Sequence, residues 1–304
     1  MARSEFESIR FTTRDGLQLC ARIYDGDPQR RRRPVLCLAG LTRNGRDFHH
    51  LALALSRHPD RPRTVFTLDS RGRGCSDHDP HWKNYTVIVE MHDVLDFAAL
   101  AGLHDAAIVG TSRGGLIAMV MAAVRPALLG ALVLNDIGPV IEREGLIRIA
   151  GYVGRTPLPA SWAEAGQLVR DMNQRQFPAV GEAEWEELAR QFFDEKDGRP
   201  APGYDPDLAR TFSVFDGPIP ALWPQFEALK RVPVLVLRGE HSDILSAGSI
   251  EEMRRRHPAL ESHTVPRQGH APLLRDEATI AVVAKFLDAA DSRSAAVKAV
   301  LTPA

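Results

Sequence analysis

Short, wholly apolar runs alternating with stretches of helical period are the feature that most constrains this chain. Pro34-Val-Leu-Cys-Leu-Ala39 is such a run, closed by Gly40. It reads as a strand buried on both faces, as strands of a parallel sheet are. Further strands are expected at 64–68, 106–109, 128–134, 232–237 and 263–265. Apolar residues at three- and four-residue spacing predict helices at 47–57, 85–103, 114–124, 249–256 and 279–287. Two β-rich runs in 8–24 flank Asp15-Gly16, a strong hairpin signal. Strand alternating with helix predicts an α/β fold, a mostly parallel sheet with helices on both faces.

The alternation breaks between Gly138 and Lys230. No convincing strand is read there. Helical patterns run over 141–150, 161–175, 182–193 and 206–211, punctuated by prolines such as Pro157, Pro159, Pro178 and Pro200. Residues 139–226 are therefore expected to be a helical cap inserted after the sixth strand, with 1–138 and 227–304 as the core. The tail from Asp291 is expected to be loose.

Charge excludes some partners. There are 38 basic and 39 acidic residues, so no nucleic-acid or membrane partner is expected. The run Arg30–Arg33 reads as a solvated loop before a strand. Cys20, Cys37 and Cys75 fit neither a zinc site nor a redox motif, which points to a reduced, cytoplasmic setting. The start of the chain has no apolar signal-peptide region. His49-His50 and His78-Asp-Pro-His81 suggest no consistent ligand set, so neither a metal nor a cofactor is expected.

Gly110-Thr-Ser112-Arg-Gly114 fits G-x-S-x-G between an expected strand and an expected helix. That setting makes Ser112 a candidate nucleophile, lifted above the sheet on a sharp turn. A serine hydroxyl needs a base. Such an elbow is followed in chain order by the acid and then the histidine. His270, in the loop Pro266–Pro272 past the last short strand, is the candidate base. Asp243 lies in the loop after the 232–237 strand, 27 residues before His270, and is the expected acid. Glu240 and Asp136 are its rivals. The oxyanion donors are expected to be the backbone N–H groups of Arg113 and Leu41, the latter beside Gly40.

With these residues the chain resembles the α/β-hydrolase superfamily over almost its full length. It looks like the bacterial carboxylesterases, enol-lactonases and ring-cleavage-product hydrolases. Asp69-Ser-Arg71-Gly-Arg-Gly74-Cys-Ser-Asp77 is similar to that branch's loop after the fourth strand, a turn braced by an Asp–Arg pair. The resemblance implies the α/β-hydrolase fold with a mostly parallel sheet of eight strands. Where many relatives carry His-Gly, this chain has Ala39-Gly40. Serine at the elbow sets it apart from haloalkane dehalogenases and epoxide hydrolases, which use aspartate. The expected activity is hydrolysis of carboxylic esters or lactones of a small to medium, partly apolar molecule. Alternatives are carbon–carbon cleavage of a ring-cleavage dienoic acid, and a triad-bearing receptor with negligible turnover. Arg113 either meets an anionic substrate or pairs with an acid such as Asp136 or a cap residue. Tyr152, Trp162 and Trp223 are the candidate substrate-contacting residues of the cap, with Trp185 as core or pocket wall.

Overall fold

The computed structural model describes residues 4–26, 32–215 and 219–301. Ten strands follow in order: β1 (Glu7–Thr12), β2 (Gln18–Tyr24), β3 (Val35–Leu38), β4 (Val65–Asp69), β5 (Ala106–Thr111), β6 (Leu129–Asn135), β7 (Phe193–Lys196), β8 (Arg199–Pro202), β9 (Val234–Gly239) and β10 (Glu261–Val265). The nine α-helices are α1 (His49–Ser56), α2 (Val87–Leu100), α3 (Arg113–Val124), α4 (Arg143–Tyr152), α5 (Trp162–Asn173), α6 (Glu184–Phe192), α7 (Trp223–Glu227), α8 (Ala247–Arg256) and α9 (Glu277–Leu301) among the described residues.

Eight strands form one sheet in the order β1-β2-β4-β3-β5-β6-β9-β10. The β1–β2 and β2–β4 pairs are antiparallel and the rest are parallel. The apolar runs are continuous because both faces are covered. Leu36, Leu38, Ile108, Leu132, Leu134, Val234 and Val236 enter one buried cluster. Val35, Cys37, Ala107, Val109, Ala131, Val133, Leu235 and Leu237 enter the other. Alternate residues of one strand thus feed opposite cores. The strand order changes direction at β3, which lies between β4 and β5. A crevice outside the strand ends at such a reversal is where open α/β sheets bind ligands.

The segment between β6 and β9 carries α4, α5 and α6 with a core of its own, built on Val169, Phe177, Trp185 and Leu188. It also holds the antiparallel pair β7–β8, which the sequence reading missed. These strands are four residues each, and Pro200 and Pro202 lie in β8. Proline is tolerated on an edge, and in a two-stranded ribbon every strand is an edge. The 206–211 pattern is a 3₁₀ helix, Pro206–Phe215.

Of the tail expected to be loose, residues up to Leu301 continue α9, and 302–304 lie outside the described residues. Asp288 and Asp291 explain the first turn of that extension. Asp288 bonds Arg32 at 2.8 Å and Arg63 at 2.9 Å, and Asp291 lies 3.2 Å from Arg63. Half of the arginine run is therefore engaged with α9, while Arg30 and Arg31 lie outside the described residues.

Candidate active site

Ser112 sits between β5 and α3 with φ 49° and ψ −114°. That is a costly conformation for a residue with a Cβ, and close packing on both sides holds it. A Cβ on Gly114 would lie 2.1 Å from the Leu38 carbonyl oxygen, and one on Gly110 would lie 2.6 Å from the Gly115 nitrogen. Only glycine lets helix and strand approach so closely. The Ser112 N–H donates to the Asn135 carbonyl at 3.0 Å, which ties the elbow to the end of β6.

His270 follows β10 in a loop whose far side is pinned by Asn135, whose Nδ2 donates to the Pro272 carbonyl at 3.0 Å. Its Nε2 lies 2.9 Å from the Ser112 hydroxyl oxygen. Its Nδ1 lies 2.8 Å from Oδ2 of Asp136. The structure therefore brings together Ser112 and His270 as expected, but with Asp136, not Asp243, against the imidazole. Asp136 follows β6 directly, on backbone with φ 56°, and its side chain is fully buried. Its carboxylate also accepts from the Gly239 N–H at 2.8 Å and from the Ser242 hydroxyl at 2.6 Å. Three donors satisfy a charge that burial alone would penalise.

Asp243 points elsewhere. Its carboxylate takes both arms of Arg148 from α4, Nε at 2.5 Å and Nη2 at 2.9 Å. Burial tends to raise the Asp243 carboxyl, but the Arg148 pair prevails and holds it below its usual value. The other rival, Glu240, accepts from the Arg267 N–H at 2.6 Å and braces the histidine loop.

Arg113 does not enter the cavity as an anion receiver. Its Nε lies 2.6 Å from Oε2 of Glu90, and its Nη2 donates to the Tyr85 carbonyl at 2.9 Å. It is a structural pair, with neither Asp136 nor a cap residue as partner. The loop after β3 turns back at Gly40, where the Arg43 N–H reaches the Gly40 carbonyl at 3.2 Å. A Cβ on Gly40 would stand 3.8 Å from that of Ser112, so the Leu41 backbone lies beside the nucleophile. In the β4 loop Arg71 is braced by Asp93 at 2.6 Å and by Asp15 at 2.9 Å. Asp69 instead accepts from the Gly45 N–H at 2.7 Å.

A cavity of about 110 Å³ opens over Ser112 and His270. Its apolar wall includes Ile149, Phe177, Trp185, Leu188 and Phe192, and its polar groups include Arg43 and Arg148. Tyr152 lines it as expected. Trp162 and Trp223 do not. The Trp162 ring carries the Arg190 guanidinium 4.2 Å from its centroid, and the Trp223 ring carries that of Arg256 at 4.2 Å. Both rings are occupied as cation–π platforms on the flanks. A second, mostly apolar cavity of about 100 Å³ shares Thr42, Tyr152, Val169 and Phe192 with the first. The histidine doublet is also accounted for, since His49 Nδ1 lies 2.9 Å from the Tyr24 hydroxyl.

Sequence comparison places these features in a family. Residues 33–277 match the model for the alpha/beta hydrolase fold. A 3-hydroxybutyrate-oligomer hydrolase of Cupriavidus necator is 33% identical over 285 residues, 90% of this chain and 94% of that protein. A 2-(acetamidomethylene)succinate hydrolase of Mesorhizobium japonicum is 26% identical, over 84% of this chain and 88% of that protein. The crystal structure of an alpha/beta hydrolase from Novosphingobium aromaticivorans superposes with TM-score 0.86 at 38% identity, covering 94% of this chain and 99% of that one. The match over residues 33–277 and the shared architecture show that this chain belongs to the alpha/beta hydrolase family.

Proposed function

We propose that the chain is a serine hydrolase that cleaves carboxylic esters or lactones of a small to medium, partly apolar substrate through an acyl-enzyme. One observation carries this reading: the Ser112 hydroxyl, the His270 imidazole and the Asp136 carboxylate form one chain of hydrogen bonds, at 2.9 Å and 2.8 Å, whose Ser112 and His270 line a cavity.

Ser112 Oγ attacks the carbonyl carbon as His270 Nε2 takes its proton. Asp136 holds the imidazole in the tautomer with hydrogen on Nδ1 and stabilises its charge. The developing oxyanion is received by the N–H groups of Leu41 and Arg113, in a site the cap helps to shield from water. His270 then gives its proton to the leaving alcohol. Water, activated by the same imidazole, releases the acid and restores Ser112. This cycle calls for no cofactor.

The apolar wall and the adjoining apolar cavity favour a partly apolar substrate. The relative named as a 3-hydroxybutyrate-oligomer hydrolase supports ester cleavage. Carbon–carbon hydrolysis of a dienoic acid is the second reading; Arg113 is committed to Glu90, so Arg43 or Arg148 in the cavity would have to hold its carboxylate. The intact relay weighs against a receptor, which single-turnover labelling of Ser112 without steady-state hydrolysis would support instead. Among the described residues no helix is long and apolar enough to cross a membrane. We place the site of action in the cytoplasm on the reduced cysteine pattern.

A panel of p-nitrophenyl esters of graded chain length, lactones and dienoic ring-cleavage products tests the reading. Ester or lactone turnover that is lost in Ser112→Ala is expected. Turnover of the dienoic acids alone would overturn it in favour of carbon–carbon cleavage.

A further inference from the structure

Glu90 is fully buried in the first turn of α2, and two arginines meet on it. Arg113 lies 2.6 Å from Oε2, and Arg73 Nη1 lies 2.8 Å from Oε1. Arg73 is equally buried, at 1% exposure. Its Nε donates at 2.8 Å to the carbonyl oxygen of Leu41. The Nη1 that meets Glu90 also donates to the Arg71 carbonyl at 2.5 Å. Burial tends to raise the Glu90 carboxyl, yet Arg113 and Arg73 prevail and keep it below its usual value.

The two arginines lead to two particular places. Arg113 directly follows the nucleophile. Leu41 is the second residue of the Gly40–Arg43 turn beside it. These are the residues whose N–H groups receive the oxyanion in the function proposed above, and the present inference rests on that reading. They follow β3 and β5, a parallel pair with Leu38 opposite Gly110, and the gap between them lies three residues beyond the end of that ladder. A single carboxylate spans it.

We propose that Glu90 is a positioning residue that sets the spacing of the two oxyanion donors, through Arg113 to one and through Arg73 and the Leu41 carbonyl to the other. Planar guanidinium is required at position 73, because only a fork can bind Glu90 and two carbonyls from fixed angles. The cluster carries two positive charges and one negative, so it also leaves a net positive charge near the developing oxyanion, where low dielectric makes it effective. Acting only as the charge develops, it governs kcat rather than ground-state binding.

The test compares the full-length wild type with Glu90→Gln and Arg73→Lys on a p-nitrophenyl ester. Each protein is also titrated with an alkyl trifluoromethyl ketone, which adds to serine as a tetrahedral oxyanion. Removing one oxyanion donor outright costs about 10²–10³ in kcat. Displacing one is expected to cost roughly 10–100-fold, with KM within about threefold. The affinity for the ketone should fall by the same factor as kcat/KM, which a purely structural role would not produce. Arg73→Lys keeps the charge, so it serves if Glu90→Gln does not fold. Folded variants that keep both kcat and ketone affinity within about twofold would overturn the positioning role. Fluorophosphonate labelling of wild-type Ser112 separates the two levels. If the wild type labels and hydrolyses, a negative result strikes Glu90 alone. If it does neither, the serine-hydrolase reading fails and takes this inference with it.

Discussion

Oδ2 of Asp136 lies 2.8 Å from Nδ1 of His270, while Asp243 is held by Arg148. In the function proposed above the acid is thus carried at the end of β6, the strand that pairs with β5, which leads into Ser112. Asp136→Asn should lower kcat about 10⁴-fold by favouring the wrong imidazole tautomer. Asp243→Asn should cost less than about tenfold, since its carboxylate is held by Arg148 and makes no hydrogen bond to the imidazole. Steady-state kinetics on one activated ester decide between them, and the reverse order would return the acid to the β9 loop.

Ser112→Ala should reduce kcat by roughly 10⁶, leaving only the residual catalysis of binding and oxyanion donors. An alkyl fluorophosphonate should label Ser112 stoichiometrically, as read by peptide mass spectrometry. Label on another serine would remove Ser112 from its role.

Gly114→Ala puts a methyl 2.1 Å from the Leu38 carbonyl, a backbone atom that cannot turn aside. Either α3 or β3 must move. A loss of more than about 3 kcal/mol in chemical denaturation is expected, with slower fluorophosphonate labelling. Unchanged stability would mean the elbow is looser than its packing implies.

The cavity wall should govern substrate choice. Trp185→Ala and Phe177→Ala should reorder a chain-length series of esters by roughly 10–200-fold. Trp162→Ala and Trp223→Ala, whose rings face Arg190 and Arg256 outside the cavity, should leave the order unchanged. The ranking of kcat/KM across the series is the measurement, and a uniform loss in the Trp185 variant would assign that ring to the cap's core alone.

The Asp243–Arg148 pair predicts a pH dependence. The Asp243 carboxyl is held below its usual value in the folded state. Its unfolded pKa is about 3.9. The pair therefore contributes stability above about pH 4, which is lost as pH falls through the folded value. At pH 7 Asp243→Asn should destabilise by about 1.5–3 kcal/mol. The gap between variant and wild type should close as pH drops below about 4. A gap that does not narrow at all as pH falls below about 4 would show that the charge is not what matters.

Much of this was legible in the sequence, for a physical reason. The main sheet strands announce themselves because both faces are buried, and Ser112 because glycines crowd it on either side. His270 was found by its place after the last strand. The acid was not, because Asp136 and Asp243 both stand at strand ends on the same sheet edge. Chain order cannot tell which carboxylate meets the imidazole. The deciding signals are non-local: Ser242 and Gly239 both donate to Asp136, and Arg148 comes from α4 to take Asp243. Arg113 was similarly ambiguous, since its partner Glu90 lies 23 residues upstream on another helix. Trp162 and Trp223 were picked as large apolar rings in the right segment, and nothing in their spacing reveals the arginines that cover them.

Placing the acid on β6 has a practical consequence for anyone redesigning the molecule. β6 is hydrogen-bonded on both sides, to β5 and to β9, so the carboxylate inherits the stiffness of the sheet interior. The stretch from Glu240 to Leu245 is left with a carpenter's duties: Ser242 steadies Asp136 and Asp243 fastens α4 through Arg148. Redesign of that loop must therefore keep Ser242 and Asp243, and also Glu240, which braces the histidine loop through the Arg267 N–H.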